Sequence, residues 1–103
     1  MRARVPLGKA VEDYLKAIYQ LSVGDAPVAT TSVASALKVS PAAVTKMLRR
    51  LTSLRLVNHS RYRGVRLTAA GRRVALEIIR HHRLLELYLN QALGYPLDRV
   101  HAE

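Results

Sequence analysis

Apolar residues recur at Val11, Tyr14, Leu15, Ile18, Tyr19 and Leu21, with spacings of three and four among them. That spacing places them on one face of an amphipathic helix over residues 11–23. Gly24 and the Pro27 region end it. A short second helix follows, with Thr30, Thr31 and Ser32 as N-cap candidates and Val33, Ala36 and Leu37 facing inward. The small Ala34 and Ala36 allow close packing on the next helix. Lys38-Val39-Ser40 is a tight three-residue turn. Ser40 caps the third helix, and Pro41 suits its first position, where a missing N–H loses no partner. Val44, Leu48, Leu51 and Leu54 form its core stripe, with Lys46, Arg49, Arg50 and Ser53 away from it.

After Leu54 the period changes. Leu56 to His59 and Val65 to Leu67 are short and rich in β-formers, and Gly64 supports a turn between them. This predicts a small β-hairpin. Thr68 then caps a long helix. Val74, Ile78, Leu85, Leu89 and Ala92 make one stripe, with Ile79, His82, Glu86 and Leu93 beside it. Gly94 and Pro96 stop it. Such a helix spans about 37 Å, longer than a small domain needs, so its far half is expected to pack on something else. A last helix opens near Leu97 with Val100 inward. The expected fold is mainly α with a small β-hairpin. Residues 1–72 form a winged helix-turn-helix, and residues 73–103 carry the long helix into a second helical region.

Charge sharpens this reading. The net charge is +10, and all of it lies between Asp25 and Glu77. That window holds Lys38, Lys46, Arg49, Arg50, Arg55, Arg61, Arg63, Arg66, Arg72 and Arg73 and no acid. Ordinary surfaces mix signs, so the segment points to a polyanion. Half of the residues are hydrophobic, which excludes a disordered basic tail. The absence of Cys excludes disulfide scaffolds, thiolate zinc sites and thiol enzymes. No signal peptide or membrane span is present, so a cytoplasmic protein that does not engage a membrane is expected.

The expected partner is double-stranded DNA. Ser40, Pro41, Ala42, Ala43 and Thr45 open the recognition helix and point at base edges, with Thr31 at the start of the helix before it. Lys46, Arg49 and Arg50 reach bases or phosphates. The wing places Arg61, Tyr62 and Arg63 over the backbone or in the minor groove. No aromatic platform of the single-strand or RNA-binding kind accompanies them. No Gly-rich phosphate loop, nucleophile elbow or triad is visible, so catalysis is not expected.

His82 and Glu86 are four apart on the long helix, so both can meet one ion. His101 follows the Gly94-Tyr95-Pro96 turn, where the next helix can fold back alongside. Imidazole and carboxylate without thiolate suit Mn(II), Fe(II), Co(II) or Zn(II). The same residues also read as a hydrogen-bonded helix histidine and an acid paired with Arg80 or Arg83. A winged-helix regulator without metal control is therefore the alternative.

The ordered set of motifs resembles the diphtheria toxin repressor family of metal-dependent repressors, and within it the manganese transport regulators. The carrying residues are Val11-Glu12-Asp13-Tyr14-Leu15 with Ile18-Tyr19, then residues 39–47, Tyr62 to Thr68 with Gly71, His82 to Glu86, and Val100 to Glu103. The resemblance implies a homodimer that binds a palindromic operator when loaded with metal, and a dimer interface built from the second half of the long helix and the helices after it. It implies Asp13, His82, Glu86 and His101 as metal ligands. Mn(II) is expected first and Fe(II) next, with Zn(II), Co(II) or Cd(II) as surrogates. Lys16 departs from the pattern, because it stands where manganese-type members carry a second acid. The family's further ligands would lie a few residues past Glu103, so the resemblance implies that the second region is truncated.

Overall fold

The computed structural model describes residues 8–93, with side chains described through Ala92. Its elements are α1 (Lys9–Leu21), α2 (Thr30–Leu37), α3 (Pro41–Ser53), β1 (Val57–Ser60), β2 (Gly64–Leu67) and α4 (Ala69–Leu93). The predicted helix near Leu97, with Val100 and His101, lies outside the described residues. So do Gly94 and Pro96.

One core holds the reader together. Val11, Leu15 and Ile18 of α1, Val33 of α2, and Val44, Leu48 and Leu51 of α3 are all buried. Val57 and Val65 of the hairpin and Ala75 and Ile78 of α4 join them. In the hairpin register buried Val57 lies opposite buried Leu67 and exposed Asn58 opposite exposed Arg66. A further bridge was not legible in the sequence. Val28 pairs with Val65, each N–H donating to the other's carbonyl at 2.8 Å. A single paired residue carries no period for a sequence pattern to show.

Several local expectations are corrected. α1 ends at Leu21, and Val23 is exposed. The Ser22 hydroxyl donates to the Ile18 carbonyl at 2.6 Å, which closes the last turn two residues early. Thr30, Thr31 and Ser32 do not cap α2. Ala29 holds the N-cap position without a side-chain bond, and its carbonyl accepts from the N–H groups of Ser32 and Val33. Ala36 is exposed, and Val33 and Ala34 are the buried pair of α2. Leu54 is exposed because α3 stops at Ser53 and the chain leaves the core there.

The α2 and α3 ends share one device. Lys38 and Arg55 both adopt left-handed backbone, at φ 57° and 61°. Val39 donates to Ala34 and Lys38 to Ser35, while Leu56 donates to Leu51 and Arg55 to Thr52. These paired bonds are the Schellman arrangement, usually built on glycine. Here two cationic residues adopt it, which keeps positive charge at both ends of α3.

Two glycines are sterically required. At Gly64 φ is 112°, and a Cβ would strike the carbonyl of Val28. A Cβ on Gly71 would strike the carbonyl of Leu56. Thr68 starts α4, its hydroxyl accepting from Gly71 N–H at 2.9 Å and donating to the Arg55 carbonyl at 2.8 Å.

The near half of α4 packs on α1 and β2. In its far half Glu86 is buried and Leu89 and Asn90 are half-buried, but several large apolar residues are bare among the described residues. Leu84 is 65% exposed and Tyr88 63%, and Leu85 and Leu87 are also exposed. Of the expected stripe beyond Ile78, Leu89 is half-buried, while Leu85 and Ala92 are exposed because nothing described covers them.

Gly64→Ala is expected to destabilise the protein by about 2 kcal/mol or more, through positive φ and the backbone clash together. Arg55→Gly is expected to be neutral or to stabilise by about 1 kcal/mol, because glycine meets no penalty at that φ. Urea unfolding of both variants checks this pair. A loss is expected for Gly64→Ala alone, and equal losses would contradict the geometry.

Candidate nucleic-acid interface and metal centre

The third helix is oriented by its apolar side. Val44, Leu48 and Leu51 are wholly buried, so the opposite face must point to solvent. Ser40, Pro41, Ala42, Ala43, Thr45, Lys46, Arg49 and Arg50 are all exposed on it. Ser40 Oγ accepts from the Ala43 N–H at 3.1 Å, with Pro41 next to it, so the helix start is fixed. Thr31 is exposed in the first turn of α2. The small residues at 42 and 43 let another surface approach closely. The cations one and two turns on supply charge at its flank.

The wing extends that face. Arg61, Tyr62 and Arg63 are exposed at the hairpin turn, and Tyr62 is 89% exposed. The Arg61 guanidinium lies 5.5 Å from the Tyr62 ring centroid, which stiffens a long side chain at the tip. A second feature was not anticipated from sequence. Pro27, Asn58, His59, Ser60, Arg63 and Arg66 line a shallow hollow on the hairpin. Asn58 and Arg66 are cross-strand partners, and the polar positions of the two strands were its only signal.

The candidate metal ligands fall into two groups. His82 Nε2 and Glu86 Oε2 are 3.6 Å apart. Glu86 is only 3% exposed, although it sits in the largely bare half of α4. The two atoms fit one ion: adjacent donors on a four-coordinate metal at about 2.1 Å stand about 3.4 Å apart. Asp13 is not brought to them. Its carboxylate pairs with Lys9 at 3.0 Å, and it lines a separate hollow beside Ala36 and Leu37. Among the described residues no three acids or histidines converge. His101 lies outside those residues.

The hollow beside the His82–Glu86 pair has a volume of about 210 Å³. Lys16 and Gln20 of α1 and Ile79, His82, Arg83 and Glu86 of α4 line it. The role of Gln20 in it was missed from sequence, whereas Arg83 was read there as a partner of Glu86. Only the packing of α1 on α4 brings Gln20 there, and spacing within one helix carries no such signal.

A helix-turn-helix pair, a wing and a long trailing helix define a winged-helix DNA-binding protein. The chain belongs to the iron-dependent repressor family of metal-dependent regulators, which includes the diphtheria toxin repressor and the manganese transport regulators. The family profile described as the iron dependent repressor N-terminal DNA binding domain matches residues 6–65. The profile for the metal binding and dimerisation domain matches residues 68–103. An HTH-type transcriptional regulator of Methanocaldococcus jannaschii is 35% identical, covering 85% of this chain and 71% of its own length. The regulator MntR of Bacillus subtilis is 34% identical, over 89% of this chain and 64% of its own.

Among solved structures, ScaR with bound Zn2+ is similar at a TM-score of 0.75 and 35% identity. The match covers 90% of this chain and 43% of that one. A manganese-dependent transcriptional repressor in complex with manganese gives 0.75 and 40%, over 89% of this chain and 42% of that one. The chain thus spans less than half of these solved repressors. Among its described residues, no helix is long and apolar enough to cross a membrane.

Ser40→Ala is expected to lower stability by about 1 kcal/mol, since the Ala43 N–H loses its acceptor. Ser40→Asp is expected to retain it. Thermal unfolding of the two variants distinguishes capping from a generic effect of substitution, and an equal loss in both would contradict the cap.

Proposed function

We propose that this chain is the DNA-reading unit and the start of the sensing unit of a metal-responsive transcriptional repressor. It binds a palindromic operator as a homodimer in the cytoplasm. Residues 1–72 read DNA, and residues 73–103 begin the sensor and interface. The observation that carries this reading is the acid-free face of α3 and the wing, held outward by buried Val44, Leu48 and Leu51. Membership of a repressor family supports it.

In this reading Ala42, Ala43 and Thr45 meet base edges, while Lys46, Arg49, Arg50, Arg61 and Arg63 neutralise phosphates. Two recognition helices about 34 Å apart would enter successive major grooves. The bare Leu84, Leu85, Leu87 and Tyr88 would be covered by a second copy, as the dimerisation profile over 68–103 suggests.

His82 and Glu86 would hold the ion, with Asp13 joining from α1 and His101 from beyond the described residues. Releasing Asp13 from Lys9 costs little, because exposed pairs contribute about 0–1 kcal/mol. Mn(II) is the proposed ion and Fe(II) the next, with Zn(II), Co(II) or Cd(II) as surrogates. When bound, the ion supplies a cross-link between α1 and α4. α1 also packs on α2, so fixing it limits the freedom of the reader. Operator affinity then rises only as far as the DNA-competent arrangement holds metal better.

Operator binding of the full-length protein is expected to fall tenfold or more when Mn(II) is replaced by chelator. His82→Ala is expected to remove that difference. Equal affinity in chelator would select the winged-helix regulator without metal control, which the separation of Asp13 from His82 and Glu86 favours. Lys46→Ala is expected to reduce the slope of log affinity against log salt by about 1 on any sequence. An unchanged slope would remove Lys46 from the phosphate contacts.

A further inference from the structure

The hollow between α1 and α4 has an unusual balance of charge. One nearly buried carboxylate, Glu86, faces it with His82, and two permanent cations, Lys16 and Arg83, share its lining. From α1 it receives an ammonium and the Gln20 amide, while Asp13 of the same helix is engaged with Lys9. Lys16 also lines the hollow that contains Asp13, so it borders both hollows. A buried carboxylate requires a compensating cation. Here the chain itself provides one, attached to the helix that a bound ion would otherwise tie down.

We propose that Lys16 is a tethered competitor of the divalent ion at the Glu86 hollow, lowering metal affinity and bracing α1 against α4 when no metal is bound. The proposal rests on the metal reading above and adds a residue that sets how much metal is needed. A divalent ion entering the hollow adds two charges to a lining that already carries a net positive charge from Lys16, Arg83 and Glu86. It must also displace the ammonium from the field of Glu86. Removing one cation from the lining is expected to tighten divalent binding tenfold or more, the scale on which a neighbouring charge acts on a carboxylate.

The experiment is Mn(II) titration calorimetry on full-length wild type, Lys16→Gln, Lys16→Met and Glu86→Gln, with the thermal midpoint of each in chelator. Gln and Met are both good helix formers, and Met keeps the apolar stem. The expected result is Mn(II) binding at least tenfold tighter in both Lys16 variants and lost in Glu86→Gln. In chelator, both Lys16 variants are expected to melt below wild type, and Mn(II) is expected to close that gap. Unchanged or weaker Mn(II) binding in both Lys16 variants, with Glu86→Gln still abolishing it, overturns this proposal alone. Absence of Mn(II) binding from wild type and both Lys16 variants overturns it together with the metal reading.

Discussion

The structure depends on α1 being buried from two sides at once. Leu15 and Ile18 have no exposed surface, and the helix that carries them packs against both α2 and α4. One side holds the helix that leads into the recognition helix, and the other holds the helix with His82 and Glu86. Close-packed interiors transmit displacement because they have no slack. Any group that fixes α1 on α4 therefore acts on the position of the reader without touching it. The polar side of the same helix places Lys16 and Gln20 at the seam, where the buried carboxylate lies.

Charge follows the same division. The acid-free window runs through α2, α3, the wing and the first two turns of α4. Burial of Val44, Leu48 and Leu51 converts that stretch of sequence into an outward cationic face. The left-handed ends at Lys38 and Arg55 place two more cations beside α3, at positions where glycine would be easier. Just beyond the window the seam holds Glu86 among cations, so the acid is rare and its surroundings are specific.

Most of the reader was legible in the chain. Helical period placed α1 and α3 within two residues, and Ser40-Pro41 and Thr68 marked true helix starts. The hairpin followed from its β-formers and Gly64. Other features were not legible, for identifiable reasons. The Val28–Val65 bridge has no local pattern. Ala29 begins α2 without a side-chain cap, so the neighbouring hydroxyl residues were misleading. Leu85 has the spacing of a core residue and yet is exposed, because period reports a face and not what covers it. The His82–Glu86 pairing followed from spacing, while the intrusion of Lys16 and Gln20 needed the packing of two helices.

In the proposed mechanism metal at the α4 pair acts through α1. Amide hydrogen exchange of the full-length protein, with and without Mn(II), tests it directly, because exchange reports local opening segment by segment. Slower exchange across α1 and into α2 is expected when Mn(II) is present, with the wing tip at residues 61–63 unaffected. Protection confined to α4, or none in α1, would contradict it.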